Sequence, residues 1–523
     1  MLNDRRGDLL LLINGMPLIH IELKRSGIPV SQAIEQIKKY SHEHVFTGLF
    51  SLVQVFVAMN PEETRYFANP GDDASFNDRF YFQWADKNNE PFKAWDKNVE
   101  NLLSIPMAHK LIGFYTVPDN GDGILKVMRS YQYYACEAIN SRVEKAEWTA
   151  KDRLGGYICH TTGSGKTMTS FKAAQLLSQS KRCDKVVFLI DRIELGIQSA
   201  EEYRNFKDAR EDVQETEDTY SLISKLKSDA TKDALIVTSI QKMSNIQLEE
   251  GVNARDIEKI NQKKIVFIVD ECHRSTFGEM LAGIKKTFPT ALYFGFTGTP
   301  IYESNKKHDN TTTTVFGNEL HRYSIADGIR DGNVLGFDPY MVLTYSDHEI
   351  KEAVALKEVK EPNPAAAMSN PKTQKKYQDM LRLPMVGRKD AEGNYIKGIE
   401  DYIDASQYRL DKGDPDNGVL PKAIEKQHPY QVVKDILKNW QTLSVNGKFH
   451  AIFATSSIPE ACDYYHLFKQ MMGRDGLPEL KIAGIFDETI GNDVNAIPKE
   501  EALSEMLDDY NKQIGRASCR ERV

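Results

Sequence analysis

The stretch Gly156-Tyr157-Ile158-Cys159-His160-Thr161-Thr162-Gly163-Ser164-Gly165-Lys166-Thr167 constrains this chain more than any other. An apolar strand runs into a glycine-rich turn, and a helix begins near Lys166. That is the build of a phosphate-binding loop. Glycines let backbone N–H groups curl round a β-phosphate without Cβ clashes, and the following helix adds partial positive charge at its N-terminus. Thr162, Gly163, Ser164 and Gly165 form the cradle. Lys166 is placed to reach the β- and γ-phosphates of ATP, and Thr167 to ligate Mg²⁺. The usual pattern opens with Gly or Ala, where this chain has His160. A turn that merely joined strand to helix would have no need of Gly-Lys-Thr.

From Gly156 onward, apolar runs alternate with helical patterns, which predicts a parallel α/β sheet. The runs are Val186–Ile190, Ala234–Ile240, Ile265–Val269 and Leu292–Phe296, each closed by polar residues. Ligands of such sheets sit beyond the carboxyl ends of the strands. Asp270 follows the third run, as expected of the acid that ligates Mg²⁺ in a P-loop ATPase. Glu271 beside it is placed to polarise the attacking water. Upstream, the segment Val127 to Gln132 with its helix to about Val143 offers Arg129, Tyr131 and Gln132. An aromatic ring and an amide there can sandwich and read adenine, because a Gln side chain both donates and accepts.

The first segment, Asp8 to Lys24, reads as a β-hairpin turning at Asn14-Gly15. Glu22 and Lys24 lie two apart and share a face. Two carboxylates and a lysine, Asp8, Glu22 and Lys24, make up a metal-dependent nuclease constellation, in which the acids hold Mg²⁺ and the lysine serves the attacking water. Register decides the matter. A tight two-residue turn pairs Ile13 with Met16 and sets Asp8 and Glu22 on opposite faces; one bulge or a three-residue loop brings them opposite each other. A plain hairpin ending in solvated charges is the competing reading. Gln36 and Tyr40 fall at i and i+4 on a predicted helix over about Ser31 to Tyr40 and share a face.

Composition removes other classes. Hydrophobic residues are 41% and charged residues 27% of 523, enough for real cores. No apolar run approaches the roughly 18 residues of a membrane span, and Met1 to Asp8 does not resemble a signal peptide. Six cysteines without CxxC spacing read as reduced thiols of a cytoplasmic protein. A net charge of −8 argues against an all-over basic coat while leaving room for a local basic groove.

The set Gly163-Ser164-Gly165-Lys166-Thr167, Asp270-Glu271-Cys272-His273 and Thr297-Gly298-Thr299 resembles a superfamily 2 helicase or translocase motor. More narrowly, His160 to Thr167, Asp270 to Ser275 and Gly295 to Pro300 resemble the restriction (R) subunit of type I restriction-modification enzymes, where His160 in place of Gly is normal. The resemblance runs from about residue 4 to about 513. It implies that Asp8, Glu22 and Lys24 match the nuclease triad and Gln36 with Tyr40 its accessory motif. It places His273 with Asp270 at the nucleotide. Thr297, Gly298 and Thr299 would couple ATP state to DNA grip, and Ser239, Gln241 and the Asp191-Arg192 turn would touch phosphates of double-stranded DNA. Partners would be the modification (M) and specificity (S) subunits. A nuclease placed before the motor favours type I over type III.

The expected architecture is α/β and multidomain: a restriction-endonuclease-like α/β nuclease domain followed by P-loop, RecA-like parallel-sheet motor lobes, the second truncated. Its boundaries are 1–118 for the nuclease; 124–340 for the first motor lobe, after a Pro118–Gly123 linker; 341–440 for an insertion or mobile connector; and 441–513 for the start of the second lobe. Strands are expected at Leu49–Ala58, Thr64–Phe67, Phe449–Ser457 and Leu480–Phe486, and a helix from Pro459. Phe80 to Met107 reads as surface elements. No Gln-x-x-Gly-Arg-x-x-Arg pattern follows Phe486, and Ile514 to Val523 resembles a translated sequencing adapter. These features read as truncation at both ends, with negligible ATP turnover expected. Two other readings stand: a superfamily 2 translocase with a decorative N-terminal domain, and a non-catalytic ATP-binding module.

Overall fold

A computed structural model describes residues 7–71, 76–121, 123–149, 154–190, 214–215, 219–247, 254–270, 272, 277–302, 311–340, 342, 347–389, 395–402, 428–455 and 458–484. The chain divides into two compact units, Met1–Phe337 and Asp338–Val523.

The first unit opens with a four-stranded sheet in the order β1-β2-β3-β4, made of β1 (Leu9–Ile13), β2 (Met16–Leu23), β3 (Val55–Met59) and β4 (Thr64–Ala68). Asn14 and Gly15 both take positive φ, 50° and 81°, the turn that suits the twist of a two-residue hairpin. β2 and β3 run parallel, so a crossover is required, and the helix Val30–His42 supplies it. Its buried residues Val30, Ala33, Ile34, Ile37 and Tyr40 repeat at helical spacing and cover the sheet. The strand expected over Leu49–Ala58 is shorter than its apolar run, because Gly48–Leu52 winds into a 3₁₀ turn first.

Pro118 and Asp119, expected as linker, lie in β5 (Thr116–Asp119) and pair with Leu125 and Ile124 of β6 (Ile124–Val127). The first-sheet and P-loop segments fall in one compact unit. The residues from Phe80 to Met107 are not all surface. Trp84, Leu102 and Met107 are buried, and Trp84 packs on Tyr66, Tyr133 and Tyr134. Phe80 and Trp95 do lie at the surface, each 52% exposed, while Trp84 turns inward. The first sheet is backed by a second layer.

That second layer is a seven-stranded sheet. In chain order its strands are β7 (Gly156–His160), β8 (Lys185–Ile190), β9 (Gln214–Glu215), β10 (Leu235–Ser239), β11 (Ile265–Val269), β12 (Leu292–Thr297) and β13 (Glu319–Tyr323). They lie in the order β13-β7-β12-β11-β8-β10-β9, every pairing parallel. Both faces are covered, which is why these strands read as unbroken apolar runs. Ile158, Val186, Phe188, Val266 and Phe294 face one core, and Tyr157, Val187, Leu189, Phe267 and Tyr293 the other.

In the second unit the helices Asp347–Val359, Pro364–Ser369 and Pro371–Arg382 pack round Ala355, Ala367, Tyr377 and Ile399. The stretch expected to be a connector therefore holds a small core of its own. A helix pair, His428–Leu443 and Ile458–Met471, packs round Val433, Leu437 and Leu467. The strands expected at Phe449–Ser457 and Leu480–Phe486 do not form among the described residues, and Ile452 is 99% exposed. Residues 449–455 and 480–484 have no strand partner there, and an unpartnered strand leaves its backbone hydrogen bonds unmade. The tail 514–523 lies outside the described residues.

Candidate nucleotide and nuclease sites

The phosphate loop follows β7, and its helix is Lys166–Gln179. Gly163 and Gly165 sit at φ 81° and 77°, the left-handed region that a side chain disfavours. Ser164 Oγ donates to Thr161 O at 2.6 Å, drawing the loop tight. Thr162 and Gly163 are exposed, Thr167 is half-buried and Lys166 is buried.

Two side chains upstream hold this loop, and a third braces one of them. Tyr131 Oη donates to Ser164 O at 2.7 Å. Gln132 Nε2 donates to Ser164 O and Gly165 O, each at 3.3 Å, while its Oε1 accepts from Arg129 N–H at 2.9 Å. Arg129 Nη1 donates to Tyr131 Oη at 3.1 Å, and its guanidinium lies 4.4 Å from the centroid of Phe82. Beside these groups opens a pocket of about 320 Å³, lined by Gly163–Gly165, Met168, Arg129 and Gln132 on one side and by Phe76, Phe80 and Phe82 on the other. The second wall comes from the segment that follows the first sheet.

His160 Nε2 and His321 Nδ1 are 3.0 Å apart and buried, so one proton is shared between two neutral rings. Burial lowers the pKa of His160, and the His321 ring and the Lys166 ammonium lower it further. Burial brings His321 down to about 4, although the Lys87 backbone, Glu319 and Asp327 favour its charged form. The opening His160 therefore adds no positive charge to the loop.

The remaining motor residues stand at the carboxyl ends of neighbouring strands. Asp270 follows β11, and its N–H donates to Leu189 O at 3.3 Å. Thr297 ends β12 and its Oγ1 accepts from Thr299 N–H at 3.1 Å. A Cβ on Gly298 would lie 3.1 Å from His160 O and 3.3 Å from Thr162 N, so this turn touches the phosphate loop. Ser239 closes β10, its Oγ accepting from Lys242 N–H. Gln241 stands two residues on, its Oε1 buried without a hydrogen-bond partner among the described residues. Glu271, His273, Asp191 and Arg192 lie outside the described residues.

In the first sheet, β1 and β2 combine the tight turn with a bulge. Ile13 pairs with Met16 and Leu12 with Pro17, the register then slips, and Leu9 pairs with Ile21. One step further on, Asp8 comes opposite Glu22, and Asp8 Oδ2 accepts from Leu23 N–H at 2.8 Å. Glu22 is fully buried. Lys24 Nζ lies 3.0 Å from Glu22 Oε1 and donates to Gln36 Oε1 at 2.6 Å, and Gln36 Nε2 donates to Tyr40 Oη at 2.6 Å. The structure thus brings Glu22, Lys24, Gln36 and Tyr40 into one chain, with Asp8 at its solvent side. Glu22 Oε2 has no hydrogen-bond partner among the described residues. That orphaned oxygen has the chemistry a hard cation takes, while no three His, Cys, Asp or Glu side chains gather into a metal-ligand group among the described residues.

Sequence reasoning passed over three residues. His20 Nε2 is 3.6 Å from Glu22 Oε2, and its position two before Glu22 on the same strand face was the available signal. Phe82 and His321 carried none, since only the fold brings them to Arg129 and His160.

The fold is thus a parallel α/β sheet with a P-loop, packed in one compact unit with a mixed sheet that carries an acid-acid-lysine hairpin. Family comparisons bear on each part. The type I restriction enzyme R protein N terminus family matches residues 2–75, the SWI2/SNF2 ATPase family residues 131–376, and type I restriction enzyme subunit R domain 3 residues 447–522. A type I restriction enzyme endonuclease subunit of Staphylococcus aureus is 36% identical over 513 residues, covering 97% of this chain and 47% of that protein. One from Staphylococcus saprophyticus is 34% identical over 518 residues, 98% of this chain and 48% of that one. A protein of Mycoplasma pneumoniae, described as the C-terminal part of a putative type I restriction enzyme endonuclease subunit, is 38% identical over 216 residues. That match covers 39% of this chain and all of the relative. The chain belongs to the endonuclease (R) subunits of type I restriction enzymes, and it spans about half the length of the staphylococcal relatives. No helix among the described residues is long and apolar enough to cross a membrane.

Proposed function

We propose that the chain carries the nuclease and first motor lobe of a type I site-specific deoxyribonuclease. It couples ATP-dependent translocation of double-stranded DNA to Mg²⁺-dependent endonucleolytic cleavage, in a cytoplasmic complex with modification and specificity subunits. The observation that carries this reading is the presence, in one compact unit, of the Glu22–Lys24–Gln36–Tyr40 chain and the braced phosphate loop. Backbone N–H groups of Gly165 and Lys166, with those of Thr162 and Gly163, cradle the phosphates, while Ser164 N–H donates to Thr161 O, and Lys166 offsets their charge. Thr167 and Asp270 would hold the nucleotide's Mg²⁺, and Glu271 would orient water. His273 would sit beside them. The base falls towards Arg129 and Gln132. In the hairpin, Asp8 and Glu22 would hold Mg²⁺, which supplies Lewis acidity to the scissile phosphate and its attacking water. Lys24, held between Glu22 and Gln36, presents its ammonium to the developing charge, and Tyr40 fixes the Gln36 amide that orients it. Thr297, Gly298 and Thr299 link the loop to the DNA path along Ser239 and Gln241.

The test uses a chain carried on to the length of the staphylococcal relatives and assembled with modification and specificity subunits. Supercoiled plasmid cleavage and phosphate release are followed together. Lys166→Ala is expected to abolish both, and Glu22→Ala to abolish cleavage while ATP turnover continues. Cleavage by Glu22→Ala at the parental rate would remove the nuclease from this hairpin and leave a translocase.

A further inference from the structure

A glutamine ahead of a phosphate loop invites assignment as the reader of adenine, but the geometry points to another task. We infer that Tyr131 and Gln132 are positioning residues of the phosphate loop, acting on bound polyphosphate whatever base it carries. The inference rests on the nucleotide-site reading above.

In a trans peptide the C=O and the N–H of the same unit point in opposite directions. The Ser164 carbonyl shares its plane with the Gly165 N–H, and the Gly165 carbonyl shares its plane with the Lys166 N–H. A loop that turns those N–H groups inward to an anion must turn the two carbonyls outward, into protein, where each needs a donor. Ser164 O receives the Tyr131 hydroxyl at 2.7 Å and the Gln132 amide at 3.3 Å. Gly165 O receives the same amide at 3.3 Å, together with Thr169 N–H at 3.1 Å from its own helix. The donors that fix the outward carbonyls thereby fix the inward N–H groups before any anion arrives.

The Gln132 amide has little left for a base. Its orientation follows from chemistry: Oε1 accepts from Arg129 N–H at 2.9 Å, and a flipped amide would set that oxygen against two carbonyl oxygens. Both Nε2 protons and one Oε1 lone pair are engaged, and the residue is 1% exposed. Reading adenine takes a donor and an acceptor together, and no free donor remains. The loop also closes on this amide, because a Cβ on Gly165 would lie 2.8 Å from Gln132 Nε2. Tyr131 is set with equal firmness, stacked on Tyr323 at 3.7 Å between centroids.

The experiment measures displacement of a fluorescent ATP analogue from this chain, with Mg²⁺, by ATP, GTP and inorganic tripolyphosphate. Variants are Gln132→Ala, Tyr131→Phe and Lys166→Ala. Tyr131→Phe removes only a hydroxyl and keeps the stack on Tyr323, so it reports even if Gln132→Ala melts early. Each brace variant is expected to weaken all three competitors by the same factor, roughly three- to tenfold for one or two neutral hydrogen bonds. A loss confined to ATP in Gln132→Ala, with tripolyphosphate unchanged, would overturn the inference and return Gln132 to base reading. Unchanged affinities in both brace variants would overturn it as well, as would failure of tripolyphosphate to compete on the wild type. Failure of the nucleotide-site reading looks different: Lys166→Ala would bind the analogue as tightly as the parent.

Discussion

The two buried histidines make the phosphate loop sensitive to acid, and the size of the effect follows from their environment. An imidazole in the unfolded chain takes a proton near pH 6.5, while His321 in the fold takes one only near 4. Between those values the unfolded state binds more protons, so stability falls as pH falls through that window, and the contribution is fully present above about pH 7. From pH 7.5 to pH 5 the loss for His321 alone is about 2 kcal/mol, approaching about 3 kcal/mol below pH 4. His160 adds to it in the same direction, since burial lowers its pKa too. Two compact units make a global melt ambiguous, so the assay is hydrogen exchange in Gly156–His160 and Glu319–Tyr323, corrected for intrinsic rates. The comparison is wild type against His321→Gln, which can still hydrogen-bond His160 but does not titrate. The wild type should lose about 2 kcal/mol more of local opening free energy between pH 7.5 and pH 5 than the variant does. Parallel losses would refute the reasoning, because every other titrating group is common to both proteins.

Two further outcomes test the packing round the loop. Gly298→Ala puts a methyl group 3.1 Å from His160 O, and overpacking of this kind costs about 1–3 kcal/mol; the expected sign is weaker ATP binding in a displacement titration. Asn89 holds φ 67° and donates from Nδ2 to Arg322 O at 2.8 Å, while Arg330 donates to Asn89 O at 2.7 Å. Asn89→Ala should destabilise the first unit by about 1–3 kcal/mol through the lost hydrogen bond and left-handed strain, seen as faster exchange in Glu319–Tyr323.

What could be read from the residues alone was whatever repeats locally. The P-loop strand, the four apolar runs and the helix from Val30 all carry their period in sequence, and the parallel α/β class follows from them. The hairpin shows where that stops. Asn14-Gly15 marks the turn, but whether Asp8 meets Glu22 depends on a bulge between Leu11 and Leu12, where no residue type signals one. The Pro118–Gly123 segment has linker composition, yet Pro118 and Asp119 are strand residues that pair with Leu125 and Ile124. Phe449–Thr455 has strand composition but no partner among the described residues, and composition cannot say whether one is present. Gln132 is legible as a side chain near the loop; which of its hydrogen bonds are already made is set by Ser164 and Gly165, thirty-two and thirty-three residues away.

The nuclease-like sheet and the motor sheet are held by one core rather than by an interface. Ile19, Ile21, Val55, Val57, Tyr66 and Trp84 belong to the same packed cluster as Ile158, Phe171 and Phe188. Tyr66 Oη, buried, donates to Met128 O at 3.0 Å, just ahead of the helix Ser130–Glu144 that carries Tyr131 and Gln132. Domains that move on one another usually meet through smaller and more polar surfaces. Here Trp84, Tyr66 and Tyr115 are each no more than 2% exposed. Pulling the two sheets apart would return them to water at about 1.5–3 kcal/mol each, roughly 5–9 kcal/mol in all. That is on the scale of the whole stability of an ordinary domain, about 5–15 kcal/mol. Separating the hairpin from the loop as a rigid body would therefore cost about as much as unfolding a domain.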